Sequence, residues 1–221
     1  MRPPRNAKLG FQPPAIGEEE IEAVVETLRS GWLTTGPRAA LLEERMAGYL
    51  EAEHVLAVTS GTAALHLALL AVGIGPGDEV ITSPITWPAT ANVIEHCGAT
   101  PVFCDVREGD LNIDPDLITE LVTERTKAIL PVHLFGLSAD LDPILAEASR
   151  AGVPVVEDAA QAIGATYKSR PVGGVGGGST APAHAGARAL PSARATMQAV
   201  VASAFATTIA RCVLRRSDRA C

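Results

Sequence analysis

The chain has 221 residues, a formal net charge of −7 and 47% hydrophobic side chains, enough to bury the core of one large domain or two small ones. Its acidic balance, with a pI near 5.2, offers no basic stripe for nucleic acid. The four cysteines, Cys97, Cys104, Cys212 and Cys221, lack the short paired spacing of a zinc or redox motif, so no metal is expected and the thiols read as reduced. Residues 1–12 carry no apolar leader and no small-residue cleavage site, and a cytoplasmic protein is expected.

In chain order, residues 18–30 place Ile21, Val24, Val25 and Leu28 at helical spacing, and Gly31 closes that helix. Residues 31–37 form a loop, and a second helix runs through Leu41, Leu42, Met46 and Leu50. From His54 onward strand and helix alternate: strands are predicted at 54–59, 79–83, 101–105, 127–132 and 153–157, and helices at 62–72, 88–96, 114–123 and 140–151. The strands at 127–132 and 153–157 are apolar on both faces, as strands of a parallel sheet are. The expected class is α/β, a mostly parallel sheet between helices. Residues 167–173 read as a polar turn leading out.

Composition changes at Gly178. Residues 1–178 hold 24 acidic and 12 basic side chains, whereas 179–221 hold Asp218, six arginines and 13 alanines. Three segments are therefore expected: a helical segment at 1–50, a large domain at 51–178, and an atypical tail at 179–221. The uncharged run 195–210 is shorter than the roughly 20 apolar residues of a membrane span. A weak helix or disorder is expected there, and no membrane partner.

The chemistry-bearing residues gather at strand ends. The apolar run 153–156 delivers Asp158 to the carboxyl edge, where open α/β sheets bind ligands. Asp158 either N-caps the next helix or, with Gln161 one helical turn further on, holds a protonated ring nitrogen as in pyridoxal phosphate enzymes. Ser60-Gly61-Thr62-Ala63-Ala64 opens a helix, as an ordinary Ser/Thr cap or as a phosphate cradle. It lacks the lysine and glycine spacing of a P-loop. Trp87, in Ser83-Pro84-Ile85-Thr86-Trp87-Pro88, either packs beneath its loop or covers a flat cofactor. His133 is a ligand contact or a hydrogen-bonded structural histidine, and Asp140 and Asp142 cap and start the next helix. No G-x-G-x-x-G follows the first strand, which removes the main support for a dinucleotide fold. Phosphate pocket, flat face and carboxylate together outline pyridoxal phosphate.

Five blocks, in order, carry a family resemblance: Ser30-Gly31-Trp32-Leu33-Thr34-Thr35-Gly36-Pro37, Ser60-Gly61-Thr62-Ala63-Ala64-Leu65-His66, Gly77-Asp78-Glu79-Val80-Ile81-Thr82, Thr86-Trp87-Pro88-Ala89-Thr90-Ala91-Asn92 and Glu157-Asp158-Ala159-Ala160-Gln161-Ala162. Over residues 8–176 the chain resembles the sugar aminotransferases of the DegT/DnrJ/EryC1/StrS group, fold-type-I pyridoxal phosphate enzymes. The resemblance implies that backbone N–H groups of the Gly61-Thr62-Ala63 turn bind the cofactor phosphate and that Trp87 stacks on the ring. It implies that Asp158 pairs with the ring nitrogen and that Gln161 approaches the ring hydroxyl. Trp32, Thr34 and Thr35 would lie near the substrate, a keto-sugar carried on a nucleotide, with glutamate as amino donor and a homodimer as the working unit.

One element departs from that pattern. The family's lysine, which holds the cofactor as a Schiff base and shuttles a proton, follows a Ser-Phe-x-x-x-Lys motif, and the corresponding position here is Gly186. The only lysines are Lys8, Lys127 and Lys168. His184 lies nearby but lacks the Ser-Phe context. The expectation is an N-terminal family portion that does not transaminate and folds poorly, its tail an out-of-frame reading of a frameshifted or prematurely ended gene. The rival expectations are a non-catalytic remnant that binds pyridoxal phosphate or a sugar nucleotide, and an unrelated α/β enzyme using Asp158 as a general base.

Overall fold

The computed structural model describes residues 16–176 and the backbone of 198–201. Helices α1 (Glu18–Ser30) and α2 (Pro37–Leu50) come first, then β1 (Val55–Val58), α3 (Gly61–Ala71), β2 (Glu79–Thr82), α4 (Ala89–His96), β3 (Thr100–Phe103), α5 (Pro115–Leu121), β4 (Thr126–Leu130), a 3-10 turn at 134–136 and α6 (Leu141–Ala151). A short hairpin, β5 (Thr166–Tyr167) and β6 (Arg170–Pro171), precedes β7 (Gln198–Val201). Every helix predicted between residues 18 and 151 is present, with ends shifted by a residue or two as fraying turns allow.

The central sheet runs β3-β2-β4, all parallel. Strand β2 is buried along its whole length, and β4 everywhere but Lys127, because helices cover both faces. Alternate side chains point to opposite faces. Val80, Ala128 and Leu130 meet Leu65 and Leu69 of α3 and Val93 and Ile94 of α4. Ile81 and Ile129 meet Ile118 of α5 and Ile144 and Ala148 of α6. The result is a three-layer α/β/α core, as its apolar strands predict.

The predicted strand at 153–157 is not a continuous ladder. It lies beside β4 in parallel register through two separate bridges, Ile129 with Val155 and Val132 with Asp158. The Ile129 N–H donates to the Pro154 carbonyl, and the N–H groups of Val156 and Asp158 donate to the carbonyls of Ile129 and Pro131. The bond that would join these bridges needs an N–H at residue 131, and proline has none. The segment still carries Asp158 to the carboxyl edge, past the end of β4.

Two further expectations change. Residues 167–173 contain a hairpin turn, with Lys168 and Ser169 both left-handed (φ 47° and 70°) as a two-residue primed turn requires. Residues 198–201 form a strand and not a weak helix: β7 pairs in parallel with β1, Val55 opposite Gln198. The exposed polar backbone of β1 needs a partner, and Val200 and Val201 are β-branched, which suits a strand. The other expectations for 179–221 lie outside the described residues. Strands β1 and β7 form a sheet of their own, so among the described residues no strand joins β1 to the central sheet. The link is made by helices, through α3 packed on α4.

Candidate active site

Asp158 stands at the carboxyl edge with only 6% of its surface exposed. No helix follows it, so it is not an N-cap; its Oδ1 accepts the Ala160 N–H at 3.2 Å in a local turn. The other oxygen, Oδ2, accepts the hydroxyl of Thr90 at 2.9 Å. Thr90 is fully buried in the first turn of α4, and its oxygen lies 2.8 Å from the hydroxyl of Thr86. The Thr90 N–H donates to the Trp87 carbonyl.

Trp87 is 71% exposed, which removes the alternative of a core tryptophan. A large apolar face is thus presented to solvent at the same edge, one helical turn from the residue that grips Asp158. Ser60 N-caps α3, its Oγ accepting the Ala63 N–H at 3.1 Å. The cap reading of this turn therefore holds for Ala63. The N–H groups of Gly61 and Thr62, which a helix start leaves without intrahelical acceptors, meet no acceptor among the described residues. They are the donors this turn offers an anion.

Gln161 is bonded to the loop after β4. Its Oε1 accepts the Phe135 N–H at 2.9 Å, and Phe135 is held left-handed (φ 53°, ψ 23°) while 80% exposed. With the oxygen engaged, the Nε2 hydrogens are what the side chain has to offer a ligand oxygen. Trp32, Thr34 and Thr35 form a separate cluster between α1 and α2. The Trp32 indole N–H donates to the Thr35 carbonyl at 3.0 Å, and its ring lies so close to Gly36 that a Cβ there would come within 2.6 Å. Trp32 and Thr34 line an open hollow of about 330 Å³ with Thr27, Ser30 and Arg38.

His133 is the structural alternative. It is fully buried, its Nδ1 accepts the Ala139 N–H at 3.1 Å, and Nε2 lies 2.9 Å from Glu157 Oε2. A nitrogen that accepts carries no proton, so Nε2 holds the ring proton and donates it to Glu157. The Glu157 carboxylate, 4% exposed, also accepts the N–H groups of Gly173 at 2.8 Å and Gly176. Burial pushes its carboxyl up, but the bonds from His133, Gly176 and Gly173 outweigh burial and hold it below the usual carboxylate range. Beside Asp158, this knot pins the loop after the hairpin to the sheet edge.

Several expected roles fall to other partners. Asp140 occupies the N-cap of α6 without a cap bond, its carboxylate accepting the Tyr167 hydroxyl at 2.7 Å. Lys168 pairs with Asp142, and the Lys127 ammonium donates to the Glu124 carbonyl at 3.3 Å, near the amino end of β4. Neither lysine bonds to the Asp158 cluster; Lys8 and position 186 lie outside the described residues. Cys97 and Cys104 are free and buried, and burial, with Asp114 and Asp105, pushes the Cys104 thiol up to about 11. Among the described residues no group of three or more His, Cys, Asp or Glu side chains could hold a metal, and no helix is long and apolar enough to cross a membrane. Thr90 and Glu157 were given no role by the sequence; the one available signal was the four-residue spacing of Thr86, just before α4, and Thr90, in the first turn of a helix otherwise packed through Val93 and Ile94.

A three-layer α/β fold holds a buried aspartate and an exposed tryptophan at the carboxyl edge of its central sheet, and comparison with known proteins gives its family. The DegT/DnrJ/EryC1/StrS aminotransferase family matches over residues 14–186, and the chain belongs to it. It is 55% identical over 172 residues to the spore coat polysaccharide biosynthesis protein SpsC of Bacillus subtilis, covering 78% of this chain and 44% of that protein. It is 52% identical over 163 residues to the UDP-4-amino-4-deoxy-L-arabinose--oxoglutarate aminotransferase of Shewanella sediminis, covering 74% and 42%. The fold is similar to the sugar aminotransferase Spr1654 of Streptococcus pneumoniae in its PMP form, with a TM-score of 0.72, 40% identity, and coverage of 76% of this chain and 46% of that one. That protein also has a solved PLP form, and such fold-type-I aminotransferases share the architecture found here. The chain spans less than half the length of these relatives.

Proposed function

We propose that the chain carries the cofactor-holding portion, within residues 51–178, of a pyridoxal phosphate-dependent aminotransferase that moves an amino group from glutamate to a nucleotide-linked keto-sugar. The observation that supports this most is the buried Asp158 gripped by Thr90 beside the exposed Trp87. Bound there, pyridoxal phosphate supplies an electron sink for chemistry at the carbon bearing the amino group. Asp158 holds the proton on the ring nitrogen by its negative charge. Trp87 covers the ring face, the N–H groups of Gly61 and Thr62 receive the phosphate, with Ala63 joining if Ser60 yields, and the Gln161 Nε2 donates to the ring hydroxyl. Trp32, Thr34 and Thr35 are proposed to contact the sugar, with a second copy of the whole protein completing the site. The polar edge and acidic balance fit a soluble, cytoplasmic enzyme.

Neither lysine among the described residues, Lys127 or Lys168, bonds to the Asp158 cluster, so residues 1–221 alone are proposed to bind the cofactor without transaminating. The test compares them with a version carrying a lysine-bearing family segment after residue 176. Both are supplied with pyridoxal phosphate and glutamate, and pyridoxamine phosphate is measured. Conversion by the restored version alone supports the reading. Conversion at comparable rates by residues 1–221 would sink the inactivity proposal, and cofactor uptake by neither would sink the cofactor assignment.

A further inference from the structure

The Thr86-Thr90-Asp158 chain of hydrogen bonds has a direction that its geometry fixes. An ionised carboxylate only accepts hydrogen bonds, so the single hydrogen of the Thr90 hydroxyl points at Asp158 Oδ2, 2.9 Å away. The 2.8 Å contact between Thr86 and Thr90 must then run from the Thr86 hydroxyl to the Thr90 oxygen. Thr90 is fully buried and its backbone N–H is bound to the Trp87 carbonyl at 3.0 Å. One residue thereby ties the carboxylate to the backbone that presents the tryptophan.

We propose that Thr90 is a positioning residue for the cofactor ring, holding the Asp158 carboxylate at a fixed place relative to the exposed face of Trp87. The inference rests on the reading that Asp158 and Trp87 hold the ring, and it adds a residue that touches neither ring nor substrate. With Oδ2 fixed by Thr90 and Oδ1 held by the Ala160 N–H at 3.2 Å, rotation of the carboxylate about its last bond breaks two hydrogen bonds. Its remaining lone pairs then face a ring nitrogen in one orientation. Valine at position 90 matches threonine in shape and puts a methyl group where the hydroxyl stands. The Asp158 carboxylate would lose a charge-assisted bond, and the Thr86 hydroxyl its acceptor.

The experiment uses the 221-residue chain, with pyridoxamine 5′-phosphate as the probe. Wild type, Thr90→Val, Thr90→Ser and Asp158→Asn are compared by fluorescence titration, by the absorption spectrum of the bound probe, which reports ring-nitrogen protonation, and by thermal melting. Thr90→Val is expected to bind about tenfold more weakly, the size of one charge-assisted hydrogen bond, and to shift the bound spectrum toward the unprotonated ring. Thr90→Ser is expected to restore both. Thr90→Ala carries the same expectation as valine and substitutes for it if the valine variant does not fold. Wild-type affinity and spectrum in Thr90→Val or Thr90→Ala, while Asp158→Asn is impaired, would overturn the role of Thr90 and leave the cofactor reading standing. The same holds if Thr90→Ser is as deficient as valine. Asp158→Asn binding like wild type, or a wild type that takes up no probe, would overturn the cofactor reading and this inference with it.

Discussion

Replacing Glu157 with glutamine keeps the length of the side chain and removes its charge at the centre of a buried knot. Oε2 receives the His133 Nε2 proton and the Gly173 N–H, and Oε1 receives the Gly176 N–H. A glutamine loses least by placing its oxygen at the Oε2 position, which keeps two donors and sets its NH₂ group against the Gly176 N–H. One buried donor left unpaired costs about 1–3 kcal/mol. The two surviving bonds lose their charge assistance, and with relief from burying the charge set against that, a net loss of about 2–3 kcal/mol follows. Equilibrium urea unfolding of residues 1–221 at neutral pH should show this as a midpoint lower by about 1–1.5 M, for a slope of about 2 kcal/mol/M. The pH dependence has a definite sign. Because the folded carboxyl is held below its ordinary value, its contribution is fully present above the unfolded pKa of about 4.3 and is lost as pH falls through the lower folded value. The gap between wild type and variant should therefore narrow in that acid window. A midpoint within about 0.2 M of wild type at neutral pH, or a gap that widens on acidification, would refute the reasoning.

Leu130→Ala removes a fully buried side chain from the α3–α4 face of the core and should cost about 2–5 kcal/mol in the same unfolding assay. Ser60→Ala deletes the hydroxyl that caps Ala63 and should cost about 1 kcal/mol, a loss that added phosphate should partly offset if the helix start binds anions. Trp87→Ala should leave unfolding within about 0.5 kcal/mol of wild type, since the ring is exposed. The same variant should weaken pyridoxamine phosphate binding by about 1 kcal/mol, read by titration.

The alternation of strand and helix was legible in the sequence because two-sided burial writes continuous apolar runs, as in Val80-Ile81 and Ala128-Ile129-Leu130. Proline marks the limit of that reading. Pro131 leaves the apolar pattern of 127–132 intact yet breaks the ladder to the 153–158 segment, a backbone effect that hydrophobicity does not record. The strand at 198–201 escaped prediction because an alanine-rich run has no strand period of its own; pairing with β1 supplies the order. Asp158, Trp87 and the Ser60–Ala63 turn were legible from their places at strand ends. Thr90 and Glu157 were not, because their roles depend on contacts 68 and 24 residues away in sequence. The bond from the left-handed Phe135 to Gln161 depends on loop geometry that spacing does not encode.

The central claim is that Asp158 and its neighbours form a pyridoxal phosphate site in which no lysine of this chain takes part. Titration of purified residues 1–221 with pyridoxal phosphate, followed by borohydride reduction and mass spectrometry, tests it most directly, with Asp158→Ala alongside. The account predicts saturable binding by the wild-type chain, abolished in Asp158→Ala, and no stoichiometric adduct on any single lysine after reduction. Binding indifferent to Asp158, or a one-to-one reduced adduct on Lys8, Lys127 or Lys168, would contradict it.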